Sequence, residues 1–369
     1  MQLRAGPAVR LSLGALLLAL AMARPAAAGS GEVSLRGAYY KERSTRVAQP
    51  MLDARFDVGE SGELAAHMLL DSISSASVAA GAAGQAFNEN RFELGATYLH
   101  RLGIFRVGGG SRLSSEPDYQ SAFFHLRGEA ELADRNTTLG LNLAGGRDSV
   151  SNSGAQTDIA DAIEGVLYTS LASVSLSQVL APVLVGQLTY DLVHLDGFQE
   201  NPYRSVSAGG GFEPERVPET RTRHAAQAAL RGYVPPTRST LIGSYRFYGD
   251  DWGLVGHTPE VRLIQELVPE LDLHLRYRLH RQNRADFYKP IYDSPDPAVE
   301  PYLTDDVKLD RLTTHTFGAK LDVGLALFGL IRGPMAGARA QAVFEYIDQS
   351  TYYGNAVSAQ LAFTVPFEY

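Results

Sequence analysis

The chain has 369 residues, 45% of them hydrophobic, with 36 Gly, 18 Tyr, one Trp, no Cys and a formal net charge of -8. The missing cysteine excludes disulfides, thiolate metal sites and cysteine nucleophiles, and the acidic balance lacks the basic stripe that nucleic-acid binding requires. Abundant Gly, Tyr and Phe with a single Trp suits strands and turns better than helices.

The first element in chain order is an export signal. Arg4 and Arg10 form a basic start, Leu11 to Met22 an apolar run, and Ala26-Ala27-Ala28 a small-residue cleavage site before Gly29. This layout predicts a signal peptide over 1–28, cleaved near Ala28, and a mature domain over 29–369. The apolar run is too short for a spanning helix, and no later segment reaches the roughly 18 apolar residues that one needs. An exported chain without such helices is either soluble in the periplasm or a β-barrel.

Alternation decides for the barrel, because a strand in lipid reads apolar outside and polar inside with period two. Phe92, Leu94, Ala96 and Tyr98 form one apolar face. Phe124, Leu126 and Ala130 oppose His125, Arg127, Glu129 and Glu131. Leu184, Leu188, Tyr190 and Leu192 share a face. Leu271, Leu273, Leu275, Tyr277 and Leu279 alternate with Asp272, His274, Arg276, Arg278 and His280. Five ionisable side chains on one face are costly in a dry core and cheap in a wet lumen. Phe317 to Val323, Ala338 to Tyr346 and Val357 to Tyr369 repeat the pattern.

The predicted fold is therefore all-β, a transmembrane antiparallel up-and-down barrel of about sixteen strands, with 14 and 18 as the neighbouring even solutions. The strand cores fall at 32–41, 47–58, 62–73, 89–100, 103–112, 119–132, 136–146, 163–179, 182–195, 221–234, 238–249, 253–267, 270–284, 309–326, 335–348 and 355–369. With the N-terminus inside, the even connections should be short periplasmic turns, the last a Gly-Pro turn near Gly333-Pro334, and the odd ones outer loops. Ser74–Asn88, Arg147–Ala162, Asp196–Thr220 and Arg284–Lys308 are the long polar stretches that fit. Tyr39, Tyr98, Tyr190, Phe247, Trp252, Tyr346 and Phe367 are expected in the interfacial aromatic girdles. The terminal strand, with Phe363, Phe367 and Tyr369, has the form read by the barrel assembly machinery, although Pro366 sits where a ladder N–H is wanted.

Two groups of residues carry the chemistry. Arg262, Asp272, His274, Arg276, Arg278 and His280 form a charged strip on the lumen wall. It either steers anions or fills the bore with ion pairs to Glu260, Glu266, Asp272 and Asp322. Asp250, Asp251, Trp252 and Asp286 form an outer-loop motif, with Asp305 and Asp306 at the same mouth. Paired carboxylates there either hold a divalent cation or close a tight turn onto their own backbone. The turn is favoured, because the spacing matches no standard calcium loop, and no metal or other cofactor is expected. No His is followed by Ser two residues on, and Asp272-Leu273-His274 lacks the acidic pair of a barrel protease, so no catalytic residue is assigned.

The stretch from Asn201 to Asp293 resembles a family of bacterial outer-membrane barrel proteins of unknown function. Asn201-Pro202-Tyr203, Tyr245-Arg246-Phe247-Tyr248-Gly249-Asp250-Asp251-Trp252-Gly253, His257-Thr258 and Ala285-Asp286-Phe287-Tyr288 carry the resemblance. The N-terminal half matches loosely, through Ser72 to Ser77. The resemblance implies location and fold and no activity. Members are often encoded near flavin-transferring maturation enzymes, which implies a link to envelope redox machinery without placing a flavin on this chain. The expected function is a passive pore or transport-associated barrel, narrowed by a loop of the 196–220 or 285–308 group. A plugged docking barrel for a periplasmic redox or flavin-linked partner is the alternative, and an outer-membrane hydrolase a distant one. Outer-membrane lipid and lipopolysaccharide are the expected surroundings; the oligomeric state is open.

Overall fold

A computed structural model describes residues 29–43, 45–75, 87–151, 164–330, 332–333, 335–351 and 354–369. The expected signal peptide, the middles of the loops after Ser74 and Arg147, part of the Ser72 to Ser77 stretch and Pro334 lie outside the described residues.

Alternating sequence becomes ladder along the barrel wall. The strands are β1 (Ser30–Lys41), β2 (Thr45–Val58), β3 (Gly62–Ser75), β4 (Phe87–Leu102), β5 (Phe105–Ser115), β6 (Tyr119–Leu132), β7 (Thr137–Ser151), β8 (Glu164–Ala181) and β9 (Leu184–Gly197). Then follow β10 (Ser205–Ala208), β11 (Gly211–Pro214), β12 (Thr220–Val234), β13 (Ser239–Asp250), β14 (Val255–Val268), β15 (Leu271–Gln282), β16 (Leu312–Gly324), β17 (Arg339–Gln349) and β18 (Ala356–Glu368). Sixteen of them, all but β10 and β11, close into one antiparallel barrel in sequence order, with β18 paired to β1. Closure leaves no unpaired strand edge, which is the condition for crossing lipid with sheet.

Register puts the two faces where the alternation predicts. Leu35, Leu126, Leu188, Leu275, Phe317, Phe344 and Leu361 are exposed on the outer wall, while Arg276 on the alternate row pairs across the bore side with Glu260 and Glu345. Large apolar side chains left in contact with the surroundings over the whole wall are expected of a barrel whose solvent is lipid.

Six of the seven even connections are tight, among them 59–61, 103–104, 182–183 and 269–270. The seventh differs from expectation. The run Leu325–Phe328 has strand-like hydropathy but curls into a 3-10 turn, capped by Gly329 at φ 80°. The Leu325 N–H closes this turn onto Ala338 O at 2.8 Å. β17 consequently begins at Arg339 rather than 335, and Ala338 is buried in the turn instead of facing lipid.

Pro366 fits for a positional reason. Tyr369 N–H bonds Gly29 O on the β1 side, so the even positions of β18 face β17. The β17 ladder stops at Arg339 opposite Thr364, so the N–H that Pro366 lacks is not one that the described ladder uses.

Candidate functional site in the lumen and at the outer mouth

The lumen is built from the polar rows of consecutive strands. On the β1–β9 side these rows line a cavity of about 730 Å³. Arg36 reaches Asp53 at 2.6 Å, and His67 Nδ1 meets the other oxygen of Asp53 at 2.7 Å. Arg106 bonds Glu63 at 2.9 Å and Arg112 reaches Glu93 at 3.2 Å. The pairs of Asp53 and of Arg112 follow from register, because lumen residues of neighbouring strands stand directly opposite or one step diagonal, whereas Arg106 of β5 reaches over β4 to Glu63 of β3.

The charged strip expected from the sequence is assembled on the other side. Glu260 is its hub: Arg276 donates to it at 2.8 Å, and Arg262 bonds its second oxygen. Arg276 also reaches Glu345 on β17 at 2.6 Å. Arg278 stands opposite Glu260 in the ladder, and the His280 ring bonds the Thr258 hydroxyl at 2.8 Å. Asp272 comes within 3.7 Å of Arg339, and His274 stands opposite Lys320. Glu266 turns instead to Arg238 in a rim turn, and Asp322 pairs with Arg339 and Lys320. Glu345 and Arg339 of β17 and Glu270 of the β14–β15 turn were not assigned to the strip from sequence; for the first two the signal was the alternating polar row of β17, readable only once its neighbour is known.

At the opposite rim three loops fold as one body. Residues 198–219 carry the small hairpin β10–β11, turned by Gly209 and Gly210 at φ 58° and 85°. These left-handed angles are what a two-residue hairpin turn asks for and what glycine supplies freely. The hairpin and the residues just after it bridge to the 283–311 loop through Ala208–Tyr292 and Arg216–Leu303. Val206, Ala208, Tyr292 and Leu303 make one apolar cluster, in which Tyr292 is 1% and Leu303 0% exposed. Val217, Trp252, Leu254, Ala285, Tyr288 and Leu309 make a second, joining the 251–254 turn. Tyr203 donates to Asp118 in the β5–β6 turn. The body therefore spans the mouth from that turn to the β15–β16 loop, forming a cap with a core of its own.

Buried polar groups fix the cap. The Glu215 side chain bonds Arg204 at 2.7 Å, the Thr304 hydroxyl at 2.5 Å and the Asn201 N–H at 2.6 Å. Asp250 is the key residue of the outer-loop motif. One oxygen accepts two N–H bonds from Arg221, at 2.6 and 2.9 Å, and the Tyr248 hydroxyl at 2.7 Å. The other accepts the Trp252 and Leu254 N–H groups at 3.1 and 3.0 Å. The Arg221 guanidinium stacks 4.1 Å from the Trp252 ring centre, and the indole N–H donates to Thr220 O at 2.9 Å. Trp252 is 6% exposed. It belongs to the cap core, not to the membrane girdle expected from sequence, because the 251–254 turn folds inward over the mouth.

The remaining motif carboxylates serve the same scaffold. Asp251 accepts the Thr222 N–H at 2.9 Å. Asp286 donates its N–H to Trp252 O at 2.9 Å. Its carboxylate fills the space that a Cβ on Gly253 would take, and Gly253 sits at φ 82°. Of the motif carboxylates Asp250 bonds the backbone of its own turn, while Asp251 reaches across to β12. Among the described residues no group of three or more His, Asp or Glu is arranged to hold a metal ion. In the cap burial raises the Tyr288 phenol to about 12, with Asp310 and Asp305 adding to the shift.

On the lipid-facing rows near the same rim, Tyr190, Tyr245 and Tyr277 bond Nδ1 of His224, His257 and His315 at 2.7, 2.6 and 2.9 Å. Tyrosine on one strand and histidine on its neighbour make a girdle in which each ring satisfies the other's polar atom, as an interfacial belt requires.

Residues 83–363 match the model of a family described as protein of unknown function, DUF3570. The chain belongs to that family. No curated protein matches it. Among solved structures, the outer membrane protein OpdK of Pseudomonas aeruginosa is similar with a TM-score of 0.49 at 11% identity, over 92% of this chain and 99% of that one. OccD3 (OpdP) of the same organism gives 0.48 at 12%, over 92% and 91%. A bacterial polysaccharide outer membrane secretin gives 0.52 at 9%, over 91% and 98%. At such identities the likeness is one of fold. Within the DUF3570 chain, the stretches 201–203, 248–253 and 285–288 contribute Tyr203, Asp250, Trp252, Ala285 and Tyr288 to the cap, so these three of the segments singled out by resemblance lie together in three dimensions, while 245–247 and 257–258 belong to the wall.

Proposed function

We propose that this DUF3570 protein is a passive, solute-selective pore of the bacterial outer membrane, narrowed at its outer mouth by the folded cap. The observation that carries the reading is a sixteen-stranded closed wall around a polar, cavity-containing lumen, of the strand number that in porins leaves an aqueous channel. The cap of loops 198–219 and 283–311 stands where an entry filter stands, and the ion pairs beneath it set a charged path. The reading includes export by the segment 1–28 and removal near Ala28, checked by finding Gly29 at the N-terminus of the membrane-embedded protein. Purified protein in planar lipid bilayers should give discrete conductance steps. A folded, heat-modifiable barrel that stays silent refutes the pore.

One observation favours a second reading, a docking barrel for a periplasmic, redox- or flavin-linked partner. The long turn after β16 exposes Leu327, Phe328, Leu330 and Met335 together, Phe328 at 69%. Short-turn rims face the periplasm, and an apolar cluster there is the kind of surface a partner covers. Capture of one periplasmic protein that is lost in Phe328→Glu, with bilayers silent, selects this reading.

A further inference from the structure

Lumen guanidiniums are mostly matched with carboxylates, Arg36 with Asp53, Arg106 with Glu63 and Arg276 with Glu260 and Glu345. Directly under the cap the matching stops. Arg223 of β12 stands opposite Asp250 in the ladder, but that carboxylate is held by Arg221. Among the described residues neither Arg223 nor Arg246 of β13 has an ion-pair partner, and Arg223 Nε is buried with no hydrogen-bond acceptor. The Arg246 guanidinium lies 5.7 Å from the Tyr248 ring centre, so it leans along the wall toward Arg223.

Both arginines line one recess of about 400 Å³ on the lumen face of β7–β13. Register shows how it is laid out. Leu171, Val193 and Arg223 follow one another across β8, β9 and β12, and Ser173, Asp191, Ala225 and Tyr248 form the next row. Leu171 and Val193 are apolar residues on rows that elsewhere face water with polar groups. Asp191 is the carboxylate of the recess, with its Oδ1 accepting the Ser173 hydroxyl at 2.6 Å. Two guanidiniums and one carboxylate leave a formal charge of one positive unit beside an apolar wall.

We propose that this recess is a binding subsite for a small amphipathic organic monoanion, a carboxylate with an apolar body. Arg223 and Arg246 take the carboxylate oxygens through their N–H forks. Leu171, Val193 and Ala225 take the body. Asp191 limits the charge that is welcome, so a monoanion is preferred to inorganic phosphate. As a step in solute passage the subsite rests on the pore reading; as a binding site it does not need a current.

The test is titration calorimetry of the full-length, detergent-solubilised barrel with benzoate, acetate and inorganic phosphate, beside bilayer recordings of the same preparation. One saturable site for benzoate is expected, with acetate and phosphate weaker. Arg223→Gln and Arg246→Gln should each lower benzoate affinity at least tenfold, Arg223→Lys less, and Arg135→Gln in the exposed β6–β7 turn at the far rim should leave it unchanged, all with the heat-modifiable gel shift of the folded barrel. Benzoate binding equal in wild type and the Arg223→Gln/Arg246→Gln double variant overturns the subsite, and so does tighter binding of phosphate than of benzoate. Current without benzoate binding overturns the subsite and spares the pore. Benzoate binding without current upholds the subsite and removes the pore.

Discussion

Asp250→Ala tests whether the cap is a folded body or a set of loops resting on the rim. The side chain of Asp250 is 0% exposed and that of Arg221 10%. Removing one partner of such a pair leaves the other buried and uncompensated, a loss of about 3–5 kcal/mol. The Trp252 and Leu254 N–H groups lose their acceptor as well, though water at the rim offsets part of that loss. Taking about 4 kcal/mol, the equilibrium for local opening of the cap shifts roughly a thousandfold. When opening is fast relative to cleavage, proteolysis follows that equilibrium. Tryptic cutting after Arg216 or Lys308 should therefore accelerate by two to three orders of magnitude, while the barrel keeps its heat-modifiable gel shift, because no wall ladder is touched. Asp250→Asn should fall between, since its amide oxygen still accepts the turn N–H groups. A tryptic half-life for Asp250→Ala within twofold of wild type refutes a cap held by this carboxylate.

The wall and its turns yield three more tests. Glu260→Gln leaves Arg262 and Arg276 without their shared carboxylate, so the reversal potential in a salt gradient should move toward anions; an unmoved potential places the ion path elsewhere. Ala133, Asp134 and Arg135 all sit at positive φ, 49°, 51° and 69°, a conformation that costs an L-residue about 1–2 kcal/mol. Ala133→Gly should therefore raise the urea midpoint by an amount corresponding to about 0.5–1 kcal/mol after glycine's own entropy cost. Burial holds the Glu116 carboxyl above its ordinary 4.5, against the pull of Arg91 and with Asp118 and Asp71 adding to the rise. Its charged form is the disfavoured one, so its contribution to stability is full below the ordinary value and is lost as pH rises through the raised one. Melting followed from acid to neutral pH should show that loss in the wild type and a flatter profile in Glu116→Gln.

Strand number and the identity of the two faces are legible in the alternation of residues, and for one reason. In lipid the period-two code has to be obeyed on every strand, so Leu275 and Tyr277 on one row and Arg276 and Arg278 on the other leave a single way to stand. The code fails where the chain leaves the wall. Leu325–Phe328 has the hydropathy of a strand, yet lies past the end of the ladder and curls. Trp252 has the chemistry of a girdle, yet is folded over the mouth by Asp250 and Arg221. The Tyr–His belt is hidden in the sequence because its partners sit on different strands, up to 38 residues apart for Tyr277 and His315.

Sequence alone determined the class of the molecule, a wall of about sixteen strands with a polar lumen, because alternation is a local property and the solvent enforces it residue by residue. Which charges neutralise one another, where two arginines are left without a carboxylate, and that three loops distant in sequence share one core were decided by tertiary structure. Those outcomes depend on which side chains meet across strands and loops, and only closure of the barrel fixes who the neighbours are.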